Sequence, residues 1–143
     1  MRAHLCSLVF VSLAVAGCQG PSASVFVDHL AIVNINPSHG AVGIGYDSDV
    51  NVTFSQTVRA ETINAQTICI TQGDPASASA PCASPVLATV TYDPTTLTAR
   101  LVPVQSLLPD QKYELHLLTG IASDAGSLPV EVQASFRTIP TIP

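Results

Sequence analysis

The chain has 143 residues, of which 47% are apolar and only 10% charged, with eleven prolines and no tryptophan. That is length for one domain and enough apolar surface for a packed core, which excludes a disordered chain. Five Lys and Arg stand against ten Asp and Glu, a net charge of −5; with no basic stripe to neutralise phosphates, nucleic acid is excluded as a partner.

Arg2 gives a short positive start, and an apolar run from Leu5 to Ala16 follows, broken by Ser7 and Ser12. The run is shorter than the roughly 20 apolar residues of a spanning helix and has the length of a signal-peptide core. It closes on Leu13-Ala14-Val15-Ala16-Gly17-Cys18. This resembles the bacterial lipobox, in which an aliphatic residue and two small ones precede a cysteine. The resemblance implies removal of residues 1–17 and lipidation of Cys18, with palmitate-type acyl chains on the new terminus. Several chains on one residue hold a protein on a membrane firmly, where one chain alone is marginal. In a Gram-negative cell an Asp after the cysteine tends to retain such proteins in the inner membrane, and Gln19 at that place favours the outer membrane. Residues 18–28 then form a short tether; ten extended residues span at most about 33–36 Å. Loss of Arg2 leaves the remainder more acidic, which opposes adhesion to anionic lipid.

The cysteines sort by position. Cys6 lies in the signal segment and Cys18 carries lipid. Cys69 and Cys82 remain as a pair in an oxidising compartment and are expected to form a disulfide. Twelve residues separate them, and closing a loop of that size stabilises a fold by about 3 kcal/mol. A zinc site would need four clustered ligands, and no CxxC or HxxxH spacing is present; no metal or other cofactor is expected.

Beyond the tether the pattern has period two. Leu30 to Ile35 reads as a first strand. Val50, Val52 and Phe54 alternate with Asn51, Thr53 and Ser55. Thr67 to Thr71 places Ile68 and Ile70 on the core side and Cys69 facing outward, so that its disulfide pins a surface loop. Val86, Ala88, Val90 and Tyr92 form the next apolar row, then Leu97, Ala99 and Leu101, then Tyr113, Leu115 and Leu117, then Val130, Val132, Ala134 and Phe136. Each run predicts a strand with one buried and one wet face, which puts His116 on a wet face. Turn signals separate the runs, at Asn36-Pro37, Gly43 to Gly45, Gly73-Asp74-Pro75, Asp93-Pro94, Pro109-Asp110 and Gly120 to Gly126. A single helical turn is expected near Arg59 to Ala65. About seven short strands with regular turns predict an all-β, antiparallel Ig-like β-sandwich over residues 29–138, with 139–143 as a tail.

The order of these pieces carries a resemblance. Ile35-Asn36-Pro37 with Gly40-Ala41 comes first, then Val50 to Ser55, Val90-Thr91-Tyr92-Asp93 and Leu101-Val102-Pro103. Leu108-Pro109-Asp110-Gln111-Lys112-Tyr113-Glu114-Leu115 follows, then Gly120 to Gly126, and last Ser135-Phe136-Arg137-Thr138. Together they resemble a bacterial Ig-like domain of the SbsA surface-layer type across about residues 30–138. The resemblance implies a spacer, surface-layer or adhesive module. Leu108-Pro109-x-x-x-Tyr113 further resembles a tyrosine corner, in which a Tyr opening a late strand bonds back to the preceding corner. Asp124-Ala125-Gly126 reads as a turn with Gly126 at positive φ.

No catalytic set emerges. Ser38 and His39 are sequence neighbours, whereas triad members meet from separate segments. His29 and His116 have no evident catalytic partner. Asp47, Asp49 and Asp124 are the candidate oxygen ligands for calcium, and Tyr46 is the one loop-placed aromatic for a sugar. The expected function is therefore that of a non-enzymatic envelope lipoprotein presenting its Ig-like domain to another envelope protein. The alternative is a binding module for cell-surface polysaccharide or a divalent metal.

Overall fold

A computed structural model describes residues 28–73 and 81–141. Cys18, the expected signal segment and most of the expected tether lie outside the described residues. Among the described residues ten strand segments run in chain order: β1 (Ile32–Asn36), β2 (Ala41–Ile44), β3 (Val50–Phe54), β4 (Ile68–Gln72), β5 (Ala88–Asp93), β6 (Thr98–Pro103), β7 (Lys112–Leu117), β8 (Ala122–Ser123), β9 (Gly126–Ser127) and β10 (Val132–Thr138). Single 3-10 turns occur at Ala60–Thr62, where a helical turn was expected, and at Pro81–Ala83.

The strands form two four-stranded sheets, ordered β1-β3-β6-β5 and β2-β10-β7-β4, with β8 and β9 as a separate hairpin. The first sheet is wholly antiparallel, while β2 joins β10 in parallel. The all-β sandwich read from the sequence is thus observed. The strand count is higher because β2 and the β8–β9 hairpin overlap turn signals and are too short to show alternation.

Alternation explains the core. Val50, Val52 and Phe54 of β3, Ala99 and Leu101 of β6, and Ile68 and Ile70 of β4 turn inward. Tyr113, Leu115 and Leu117 of β7 and Ala134 and Phe136 of β10 meet them from the other sheet. The Tyr113 and Phe136 rings stack with centroids 5.7 Å apart, and Tyr92 meets Phe54 edge-on. The Leu108 N–H donates to the Tyr113 hydroxyl at 2.8 Å, so the tyrosine corner forms as the motif implies. Gly126, at φ 131°, closes the β8–β9 turn with the positive φ expected of it. Asp93 organises the β5–β6 turn. It accepts from the Thr95 N–H at 2.9 Å and from the Thr95 and Thr96 hydroxyls, and these bonds hold its carboxyl below the ordinary 3.8.

Three expectations change. Val130 is 63% exposed and precedes β10, because Pro129 interrupts the ladder before it. Cys69 does alternate away from the core, yet it is buried. It is bonded to Cys82 with Cα atoms 5.8 Å apart, and the Pro81–Ala83 turn lies against β4. The chain continues along the free edge of that strand, where the Val86 N–H donates to the Ile70 carbonyl at 2.7 Å. His116, expected to be wet, is 1% exposed beside Cys69 in the register of β4 with β7.

Candidate interaction surface

The crossing of the chain from one sheet to the other shapes an open apolar groove. β1 pairs with β3, and after the cis Asn36–Pro37 bond the chain passes to β2 beside β10. The pairing of β2 with β10 is confined to Phe136 and Thr138. Next to it, the Ser135 N–H donates to His39 Nδ1 at 3.2 Å, and its carbonyl accepts from the Gly40 N–H at 2.7 Å. Among the described residues no strand flanks Val132 to Ala134 on that side, nor the outer edge of β1.

The result is a groove of about 500 Å³ along the seam of the sandwich. Leu30, Ile32 and Ile35 form one wall, and Leu128 and Val132 the other. Val33 and Val130 stand at its rim, 65% and 63% exposed. A β-bulge between Ile32 and Asn34 breaks the alternation there and turns Val33 outward. Apolar walls beside unpaired strand edges suit an added extended segment. Backbone bonds would supply affinity and alternate side chains would fill the groove.

The residues singled out for chemistry do not converge. Asp49 accepts from Arg100 Nε at 2.8 Å and from its terminal nitrogen. Asp47 accepts from the Ser106 hydroxyl. Both precede β3, whereas Asp124 sits in the β8–β9 turn beyond the other end of that strand, beside Val58. Among the described residues no three His, Cys, Asp or Glu side chains group as a metal site. His29 is exposed, and His39 Nδ1 is occupied by Ser135. The tyrosines are likewise dispersed: Tyr113 lies in the core, the Tyr92 hydroxyl accepts from the Val58 N–H, and Tyr46 donates to the Pro140 carbonyl.

His116 is a buried polar site that the sequence did not reveal. Its Nε2 lies 3.0 Å from the Thr71 hydroxyl, while its Nδ1 has no partner among the described residues. Glu114 approaches to 3.9 Å. Burial pulls the imidazole below its ordinary 6.5, against the opposing pull of Glu114 and Glu131. The ring is thus held by a single hydroxyl.

A family model described as the bacterial Ig-like domain matches residues 27–138. The chain belongs to that family. Solved structures of similar fold include CopC from Methylosinus trichosporium OB3b, at 16% identity and a TM-score of 0.55, covering 80% of this chain and 98% of that one. The copper resistance protein PcoC from Escherichia coli matches at 17% identity with a TM-score of 0.52, over 76% of this chain and 98% of that one. Surface-layer protein SbsC, domains 1–6, matches at 16% and 0.54 over 80% of this chain, which spans 14% of that protein. No curated protein matches. At these identities the likeness is one of fold, and the role of this Ig-like domain has to come from its own surface.

Proposed function

We infer that this Ig-like domain is a non-enzymatic interaction module of the cell envelope, held at a membrane by lipid on Cys18. Its partner is another envelope protein that contributes an extended, alternately apolar segment. The seam groove carries this reading, because it joins apolar walls to two unpaired strand edges at one place. The lipobox-like run ending at Cys18 supports the anchor, and the short tether it leaves keeps the domain near the membrane.

A photo-crosslinking side chain placed at Val33 or at Val130 in the full-length chain tests the reading in cells. One dominant envelope protein should be captured from both positions and not from Thr89 on the opposite edge strand. Capture should fall in Cys18→Ser, which loses the anchor. Equal labelling from all three positions, or none, overturns the groove as the docking surface.

A further inference from the structure

Asn51 is a poor choice for its place in the fold. It is the second residue of β3, a strand flanked on both sides by β1 and β6, and Asn is depleted in such strands. Its neighbours Val50 and Val52 fill the core, so its own side chain is on the outer face, half-buried. Among the described residues no hydrogen bond engages its carboxamide. The fold therefore makes no use of the one group that distinguishes this residue. Thr53 stands two positions on, on the same face, and Val52 separates them. Asn-x-Thr with x other than Pro is the acceptor signal for N-linked glycans in exported proteins.

The surroundings leave room for the product. A shallow recess of about 380 Å³ opens beside Asn51, lined by Thr91, Asp93, Thr96, Thr98 and Arg100. Arg100 is directly opposite Asn51 in the ladder, and Thr91 is opposite Arg100. Hydroxyl, carboxylate and guanidinium groups are suitable hydrogen-bond partners for a sugar ring. A glycan on Asn51 would extend over this recess without displacing a core side chain.

We propose that Asn51 is an N-glycosylation site, with the proximal sugar seated in the polar recess over β3, β5 and β6. The co-substrate is a polyprenyl-diphosphate-linked oligosaccharide. Asn51 Nδ2 attacks C1 of its first sugar, forming the N–C1 bond. The C1–O bond breaks with its electron pair leaving on the lipid diphosphate, and one amide proton passes to a base of the transferring enzyme. Nothing is oxidised or reduced. Since β3 is locked between two strands, transfer takes place on the chain before that ladder closes.

The inference rests on the export part of the proposed function. The test is intact-mass analysis of the full-length chain made in a Gram-negative host that carries an oligosaccharyltransferase and its lipid-linked donor. The expected result is loss of residues 1–17 together with the mass of one oligosaccharide, mapped to the peptide containing Asn51. Asn51→Gln and Thr53→Val should lose that mass completely and Thr53→Ser should keep it. Asn51→Gln should keep the parent melting temperature, because no hydrogen bond depends on its amide. A processed chain without the oligosaccharide mass, whether or not it carries acyl mass on Cys18, overturns the glycan site and leaves export standing. A chain retaining residues 1–17 and lacking the glycan counts against both, and the mass of the retained segment tells the two failures apart.

Discussion

The outer faces of the two sheets follow the same sequence rule and end in opposite environments. On the β1-β3-β6-β5 sheet the residues that alternate away from the core are half-buried or exposed: Asn51, Thr53, Thr89, Thr91, Thr98 and Arg100. They form a polar surface on which Thr53 and Thr98 share a hydrogen bond at 3.2 Å. On the other sheet Cys69 and Thr71 of β4 and His116 of β7 also alternate away from the core yet are buried, while Glu114 is half-buried and Gln133 and Arg137 of β10 are exposed. The first face interacts with water, and the second acts as a small additional core. Alternation tells which residues share a face, and a covering segment decides whether that face is wet.

The disulfide is the sharpest lever on this contrast. Cys69→Ala with Cys82→Ala should cost about 3 kcal/mol, a fall in Tm on the order of 10–20 °C. The same change should bring the His116 pKa, read by NMR, up toward 6.5 as its cover loosens. A Tm within 2 °C of the parent, on the order of a few tenths of a kcal/mol, would mean that the loop adds nothing to the β4 face.

Matched substitutions on the two faces come next. Thr71→Val leaves both imidazole nitrogens of His116 buried without a partner, and should cost about 1–3 kcal/mol in denaturant unfolding. The isosteric Thr91→Val on the wet face should change stability by less than about 0.5 kcal/mol. Equal costs would erase the distinction between the faces.

Acid should act on the same buried site with a smaller effect. The folded state holds His116 below 6.5, so between that depressed value and 6.5 the unfolded chain binds more protons. The stability due to the neutral ring is fully present above pH 6.5 and is lost as the pH falls through this window. His116→Gln should flatten that part of the stability profile relative to the parent. An unchanged slope would show that the ring titrates alike in both states.

Much of this architecture was legible in the sequence because its causes are local. A period of two follows from strand geometry, so the inward rows of β3, β6 and β7 were readable residue by residue. The Tyr113 corner and the Gly126 turn were readable for the same reason, since each depends on a few neighbouring residues. The seam groove was not. Val130 fits the alternating row of β10, and Pro129 was the available signal that the strand begins later. Val33 turns outward at a bulge that leaves no mark in the residue pattern.

The all-β class, the inward rows, the main turns and the pairing of Cys69 with Cys82 can be read from the residues alone. Each follows from backbone geometry or from the small number of partners available. Tertiary structure alone decided that β1 and β2 join different sheets, that a groove opens between β1 and β10, and that His116 and Cys69 are covered. Those outcomes depend on which distant segment comes to lie against a face or edge, and residue spacing does not encode that.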